Sequence, residues 1–293
     1  MPPKQKQKDH IPVLLDEVLD ILQPANGERY LDLTAGYGGH SASILEVTTS
    51  NAVLVDRDIN AVKALKEMFE DKNVSIMHSD FLEATRELEA NSEKFDLIFA
   101  DLGVSSPHLD NSTRGFSLKN DGPLDMRMDQ NQELSASDVV NTYSEAELVR
   151  ILREYGEEPK AKRIAKLIVE HRPFENTLGL ANIVAKAWPG YSRVHPATRT
   201  FQAIRIAVND ELGQLSKAMP LWLKMLKPGG RLGIISFHSL EDAAVKRFFK
   251  ENGGDRYDAE LKILTKRPIS ASENELVFNP RARSARLRVA KRK

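Results

Sequence analysis

The sequence predicts an α/β fold in which a doubly wound sheet is interrupted by a small helical domain. Short apolar segments alternate with helical stretches between residues 30 and 100, which is typical of a parallel sheet with helices on its faces. A glycine cluster follows the first of these segments, where such sheets bind ligands. The alternation stops after residue 101 and resumes near residue 200, which indicates an insertion.

The first half of the sheet follows from periodicity and turn residues. A helix is predicted from Val13 to Leu22, where apolar residues recur at helical spacing before Pro24 ends it. Four short apolar runs then each end in turn or acidic residues and are predicted as strands at Tyr30–Leu33, Ala52–Val55, Val74–Met77 and Phe95–Ala100.

The insertion begins with residues 102–135, whose Gly, Ser, Pro, Asp and Asn content predicts a long loop. Ser144-Glu-Ala-Glu147 then has the pattern of a capping box that opens a helix, and Gly156 ends that helix. Further helices are predicted around Ile164–Ile168 and Leu180–Ala187.

A single helix from Thr200 to Leu226 is predicted to lead back into the sheet. A strand at Leu232–Phe237 and two closing strands within residues 263–289 complete it, with a polar stretch at 266–275. The predicted domains are therefore 1–110 with 199–293 for the sheet and 111–198 for the inserted loop and helices.

The net charge of zero hides an asymmetry along the chain. The 293 residues hold 42 basic and 42 acidic side chains, but residues 9–149 hold 10 basic and 27 acidic ones, whereas residues 150–293 hold 29 and 15. A basic half favours a nucleic-acid partner.

The chain has no cysteine, which excludes thiol chemistry and cysteine-bound metals. No apolar run approaches the roughly 20 residues of a membrane span, so a cytoplasmic protein is expected.

The glycine loop between the first strand and the next helix indicates a nucleoside ligand. Gly36, Gly38 and Gly39 allow close approach of a ligand, and Asp56, at the end of the next strand, can accept both ribose hydroxyls. Dinucleotides and S-adenosylmethionine both fit this pattern. Asp32 favours S-adenosylmethionine, because a carboxylate beside the loop repels a pyrophosphate but attracts the ammonium of a methionine group.

Asp101 and the turn Ser105-Ser106-Pro107 follow the fourth strand and are predicted as the reactive edge. Their oxygens can accept hydrogen bonds from an exocyclic amine and so prepare its nitrogen for methylation, with no metal needed. The alternative is that Asp101 only caps a turn. Phe81 follows the third strand, where it either edges an adenine ring or belongs to the core.

Several long motifs carry a resemblance to a known family. The chain resembles the bacterial small-subunit ribosomal RNA methyltransferase H family of cytidine N4-methyltransferases, which have a class I methyltransferase fold with an inserted substrate domain. The matching motifs include Gly38-Gly-His-Ser, Val55-Asp-Arg-Asp, Asp101-Leu-Gly-Val-Ser-Ser-Pro, Arg114-Gly-Phe-Ser, Asp121-Gly-Pro-Leu-Asp-Met-Arg-Met-Asp, His195-Pro-Ala-Thr-Arg-Thr-Phe-Gln-Ala, Ile234-Ile-Ser-Phe-His-Ser-Leu-Glu-Asp and Asn279-Pro-Arg-Ala-Arg-Ser.

The resemblance implies S-adenosylmethionine as cofactor and one cytidine of the decoding region of small-subunit ribosomal RNA as substrate. The family often has glutamine after Ser-Ser-Pro, where this chain has His108. The cofactor site implied by the resemblance comprises Gly38, Gly39, His40, Asp56, Phe81, Asp101 and His108.

The basic half supplies candidate RNA contacts. His195 and Arg199 lie where the insertion rejoins the sheet, and His238 follows the fifth strand, where it either contacts the base or phosphate or forms structural hydrogen bonds. Arg281 and Arg283 belong to a terminal segment without acids, whose alternation predicts a strand with one buried and one basic face. Lysines and an arginine between residues 160 and 166 contact phosphates or form a solvated helix face.

Two rival functions stay open at this point: a nicotinamide-dependent oxidoreductase and a non-catalytic RNA-binding or ribosome-assembly factor. The sequence also leaves open whether free RNA or the assembled or nearly assembled small ribosomal subunit is the substrate. The oligomeric state, including a homodimer, is equally open.

Overall fold

The structure, a computed structural model, describes residues 12–104, 111–190, 194–254 and 257–293. The chain divides into two compact units, one formed by Met1–Gly103 with Leu212–Lys293 and the other by Val104–Glu211. We call the first the sheet unit and the second the helical unit.

The sheet unit is built on a seven-stranded sheet with the order β3-β2-β1-β4-β5-β7-β6. Strands β1 to β5 run parallel, whereas β7 is antiparallel to both β5 and β6. The doubly wound α/β prediction is therefore confirmed. The strands are β1 (Tyr30–Asp32), β2 (Ala52–Asp56), β3 (Val74–His78), β4 (Phe95–Asp101), β5 (Leu226–Ser236), β6 (Leu261–Ile263) and β7 (Arg286–Arg292).

Helices of the sheet unit bury apolar residues in two core clusters. One contains Phe95, Ile98 and Trp222, and the other contains Leu14 and Phe99. None of the helices within the described ranges is long and apolar enough to cross a membrane. The sheet-unit helices are α1 (Leu15–Leu22), α2 (Gly39–Thr48), α3 (Ile59–Met68), α4 (Phe81–Ala90), α10 (Glu211–Met225, which begins at the boundary residue), α11 (Ser239–Asn252) and α12 (Glu273–Phe278).

The helical unit has its own apolar core, to which Leu148, Ile164 and Leu180 contribute from three different helices. The predicted capping box is present, since Ser144 and Glu147 bond each other's backbone amides. A second box, which the sequence reading missed, joins Ser135 and Asp138. The helices are α5 (Ala136–Thr142), α6 (Glu145–Glu154), α7 (Ala161–Glu170), α8 (Thr177–Ala185) and α9 (Thr198–Asn209).

The prediction of one helix from Thr200 to Leu226 was wrong. The chain breaks at Asp210, whose φ of 46° is left-handed, and this separates α9 from α10. Helix α9 buries Phe201 and Ile204 in the core of the helical unit. The unit consequently extends over Val104–Glu211, whereas the boundaries predicted from the sequence were 111 and 198.

Both closing strands depart from the predicted range of 263–289, because β6 overlaps it only at Ile263 and β7 extends beyond it to Arg292. Part of the polar stretch between them forms a short helix, α12, rather than a loop. Ser272 caps this helix by accepting a hydrogen bond from the Glu275 amide.

Candidate cofactor site and reactive carboxylate

Three carboxylates lie at the carboxyl edge of the sheet. Asp32 ends β1, Asp56 ends β2 and Asp101 ends β4, and the register pairs Asp32 with Leu54 of β2 and Phe99 of β4. Connections leave in opposite directions from β1 and β4, which are neighbours in the sheet. Open α/β sheets bind ligands outside the carboxyl ends of strands at such a point.

Asp32 is buried, with 1% of its surface exposed, and it organises the loop that follows it. Its carboxylate accepts hydrogen bonds from the Tyr30 hydroxyl at 2.9 Å, the Ser41 hydroxyl at 2.5 Å and the Thr34 amide at 3.1 Å. Burial raises the pKa of Asp32 to about 6, although these three bonds favour the ionised form. A cationic ligand group near this carboxylate would therefore be attracted to it.

The glycine loop is tied to Asp56 through backbone hydrogen bonds. One carboxylate oxygen of Asp56 accepts from the Gly36 amide at 2.7 Å, and the other accepts from the Asp58 amide at 2.8 Å. A carboxylate oxygen can accept more than one hydrogen bond, so these contacts with the loop are compatible with a ribose hydroxyl as a further donor. Gly38, at φ 84°, precedes α2, and no side chain caps the start of that helix.

Replacing Gly38 by alanine is expected to destabilise the protein more than the same change at Gly27. Both glycines have a left-handed φ near 80°, which costs alanine about 1–2 kcal/mol. A Cβ at Gly38 would also lie 2.9 Å from Met68 Sδ and 3.2 Å from Leu65 Cδ2, whereas one at Gly27 meets nothing within 4 Å. Urea unfolding should show an additional loss of about 1–3 kcal/mol at Gly38. Equal losses at both positions would contradict this account of the loop.

The His40 side chain is directed at protein groups. Its Nε2 lies 2.8 Å from the Val13 carbonyl, which can only accept, so Nε2 carries a hydrogen. Its Nδ1 lies 3.8 Å from Asp101 Oδ2, and its ring packs on Phe99. Gly39 lies beside it, where a Cβ would come 2.6 Å from Pro12 Cγ. The loop motif thus anchors the chain entering α1.

Asp101 presents an unsatisfied carboxylate to the site. Its Oδ1 is buried and has no hydrogen-bond partner within the described ranges, while its backbone amide donates to Thr34 Oγ1 at 2.6 Å. Burial, followed by the charges of Asp32 and Glu241, raises the pKa of Asp101 well above its usual value. An unpartnered carboxylate oxygen among other acids fits a ligand that brings positive charge, as the sulfonium and ammonium of S-adenosylmethionine do.

Phe81 opens α4 after the N-cap residue Asp80. Its half-buried ring packs edge-on against Trp222, with 5.8 Å between ring centroids. The side chain therefore belongs partly to the core and keeps an accessible portion at the carboxyl edge. Four other predicted residues, Ser105, Ser106, Pro107 and His108, lie outside the described residues.

The predicted RNA contacts are divided between the two units. His195 and Arg199 are exposed at the start of α9 in the helical unit, where Arg199 donates to the Glu157 carbonyl at 3.2 Å. Lys160 is engaged there too, donating to the Ala187 carbonyl at 3.0 Å and lying over the Trp188 ring.

In the sheet unit, His238 is the N-cap of α11 and forms a reciprocal box with Glu241. Its Nε2 lies 3.3 Å from Glu241 Oε1, and the side chain is buried. This geometry favours the structural alternative for His238. Glu241, which the sequence reading did not select, also accepts from the Phe237 amide at 2.8 Å.

Arg281 and Arg283 are exposed on a short 3₁₀ turn, Pro280–Ser284, just before β7. The prediction of a uniformly basic face along β7 was wrong at Arg288. That side chain is buried and forms a two-pronged ion pair with Asp242, at 2.7 and 3.0 Å. Periodicity could not reveal this partner, because Asp242 lies on α11, 46 residues earlier.

The sequence of the chain matches one family over nearly its whole length. The profile of the MraW methylase family covers residues 7–293. A Synechocystis protein named "Ribosomal RNA small subunit methyltransferase H" is 47% identical over 294 residues, which cover 97% of this chain and 93% of that protein. The chain belongs to the MraW methylase family.

Two further relatives carry the same name. The Halothermothrix orenii protein is 45% identical and the Trichormus variabilis protein 49% identical; each alignment covers 97% of this chain, and 98% and 92% of the respective relative. The chain is thus an S-adenosylmethionine-dependent methyltransferase, as the resemblance implied. The dinucleotide, oxidoreductase and non-catalytic alternatives are set aside.

Proposed function

We propose that this MraW methylase transfers a methyl group from S-adenosylmethionine to the exocyclic N4 amine of one cytidine in the decoding region of small-subunit ribosomal RNA. The observation that carries the proposal is the buried, unpartnered Oδ1 of Asp101 at the ligand edge of the sheet. An acceptor in this position suits an amine, which has hydrogens to donate. The names of the relatives support ribosomal RNA as the substrate.

The residues around the glycine loop would hold the cofactor. Asp32 attracts the ammonium by its charge, which acts strongly because the carboxylate is buried. The Asp56 carboxylate would accept the ribose hydroxyls, and the accessible part of Phe81 would lie against the adenine edge. The backbone of Gly36, Gly38 and Gly39 allows this close approach. His108, outside the described residues, is proposed as a further contact on the family resemblance alone.

The bound cofactor supplies the methyl group as an electrophile on a positively charged sulfur. Without a cation nearby, Asp101 holds its proton to a pH well above the usual range of an aspartate. Positive charge beside it favours the carboxylate, so Asp101 becomes an acceptor when the site is loaded. The nearest ring nitrogen of His40, Nδ1, lies 3.8 Å from Asp101 Oδ2, which is beyond hydrogen-bond distance.

Asp101 and the backbone carbonyls of Ser105, Ser106 and Pro107 would hold the two amine hydrogens. This arrangement draws the nitrogen lone pair out of conjugation with the ring and directs it at the methyl group. With S-adenosylmethionine held there, the amine nitrogen would form the new bond to the methyl carbon as the carbon–sulfur bond breaks, leaving S-adenosylhomocysteine, and one amine proton would pass to solvent. Positioning of this kind can contribute roughly 7–11 kcal/mol to lowering the barrier.

The RNA must present its cytidine unstacked, because a stacked base cannot reach the methyl group. The exposed side chains of His195, Arg199, Arg281 and Arg283 would contact phosphates and position the strand. His238 would act indirectly, by fixing Glu241 and the end of β5. We propose that the reaction takes place in the cytoplasm, where ribosomal subunits assemble. All proposed catalytic groups lie in one chain, so the proposal requires no homodimer.

The proposal is tested by measuring transfer of labelled methyl groups to small ribosomal subunits that lack the modification, in parallel with the same RNA free of protein. We expect label in the RNA, with faster transfer to the assembled or nearly assembled subunit. Label in ribosomal proteins, or no transfer to either form, would contradict the proposal. Equal rates on both substrates would contradict only the preference for the subunit.

A further inference from the structure

The arginines of the carboxyl-terminal segment differ in how far they are exposed. Arg288 is paired with Asp242, and Arg292 donates to the carbonyls of Leu223 and Lys224 at the end of α10. The exposed arginines of this segment cluster at the start of β7, and they are Arg281, Arg283 and Arg286.

The start of β7 lies on the same edge of the sheet as Asp101. The register pairs Arg286 with Ser236 and Leu287 with Ile235, and Ile235 in turn pairs with Asp101. Because neighbouring strands lie about 4.8 Å apart, the backbone of β7 at this point is about 10 Å from that of Asp101. A strand of RNA whose base reaches Asp101 would pass this surface.

Helix α12 adds an aromatic side chain to this basic surface. The helix is fixed on its inner side, where Glu275 Oε1 accepts from the Leu14 amide at 2.9 Å and Leu276 packs against the core. On its outer side Val277 is 73% exposed and Phe278 is 77% exposed. The protein thus holds a large apolar ring in solvent on a well-anchored helix.

We propose that Phe278 is a stacking platform for an unpaired base of the substrate RNA, with Arg281, Arg283 and Arg286 contacting the adjoining phosphates. The inference rests on the proposed function and names a part of the protein surface that binds the substrate. Residues 279–293 contain no acid, and Glu275, the acid of α12 nearest to Phe278 in sequence, accepts a hydrogen bond from the Leu14 amide. An aromatic ring beside arginines suits single-stranded RNA, because the ring can stack on a base while the arginines bind the phosphates.

The test measures binding of a short fluorescein-labelled single-stranded RNA by anisotropy. We expect Phe278→Ala to weaken binding about 5- to 150-fold, because this is the loss of affinity expected when one base loses the aromatic ring on which it stacks. Phe278→Trp should retain the affinity. Tyr257→Ala is the matched control, since Tyr257 is fully exposed and precedes β6, which starts beside Arg292 at the opposite end of β7. It should leave binding unchanged.

Equal RNA affinity of the wild-type protein and Phe278→Ala would overturn the inference. So would a self-association that Phe278→Ala abolishes while RNA binding stays intact, because the ring would then belong to an interface between copies of the chain. If Phe278→Ala lowers RNA affinity but the enzyme methylates a nucleoside other than cytidine, the platform stands and the proposed function fails. Unchanged S-adenosylmethionine binding shows that the variant is folded.

Discussion

Asp101→Asn is expected to lower the rate of methyl transfer at saturating substrates by about 10²- to 10⁴-fold. The amide cannot become an anion beside the positively charged sulfur, so it accepts the amine hydrogen poorly. The variant should fold, because Asp101 Oδ1 has no partner to lose among the described residues and the backbone amide still donates to Thr34. Single-turnover transfer to RNA measures the chemical step separately from binding.

The control for this variant is its thermal unfolding. Removing a buried carboxyl group without a hydrogen-bond partner should leave the melting temperature unchanged or raise it. A rate within a few-fold of the wild type, in a folded variant that binds cofactor, would reduce Asp101 to a residue that only ends a strand.

The second prediction concerns Asp32, whose pKa of about 6 makes cofactor binding depend on pH. Attraction of the ammonium requires the carboxylate, so affinity should be constant above pH 6 and fall as the pH drops below it, by up to about tenfold per pH unit. Asp32→Asn should bind the cofactor weakly, and its affinity should lose this part of the pH dependence. Calorimetric titration with S-adenosylhomocysteine at several pH values measures both effects. Tyr30, Asp56 and Asp101 are the other titrating groups that face Asp32, and they remain in the variant.

Asp32→Asn should weaken cofactor binding but should stabilise the free protein relative to the wild type as the pH rises. The pKa of Asp32 rises from 3.8 to about 6 on folding, so the folded state holds the proton more tightly. The associated stability is fully present below pH 3.8 and is lost between pH 3.8 and about pH 6, which amounts to about 3 kcal/mol. Urea unfolding should therefore show Asp32→Asn gaining on the wild type as the pH rises from about 4 to about 7. A difference that does not vary with pH would contradict the burial argument.

Much of the cofactor half could be predicted because its signals are local. Gly36, Gly38 and Gly39 follow one strand, and Asp56 ends the next. This pattern locates the ligand-binding edge of the sheet, and it does so without any knowledge of how the helices pack. The family motifs added His40 and Phe81. The sequence could not predict which groups these side chains contact. His40 bonds the Val13 carbonyl, and Ser41, which the sequence places only within the family motif, donates to Asp32.

The errors came from contacts between residues distant in sequence. Apolar residues recur at helical spacing on both sides of residue 210, but Asp210 adopts a left-handed conformation and divides the segment into two helices. The alternation in β7 correctly located its buried residues, but Arg288 faces a carboxylate on α11 rather than solvent. His238 was selected as a strand-end residue near the site, and the structure uses it to cap a helix. Each outcome depends on tertiary packing, which periodicity does not report.

In the proposed reaction, Asp101 and the glycine loop direct a methyl group to the N4 amine of cytidine in ribosomal RNA. To test this, RNA methylated by the enzyme with labelled S-adenosylmethionine is digested, and the nucleosides are separated by liquid chromatography and mass spectrometry. We expect N4-methylcytidine at one position of the decoding region, and its loss with Asp101→Asn. Label on ribose, on the C5 carbon of cytosine or on guanine would contradict it.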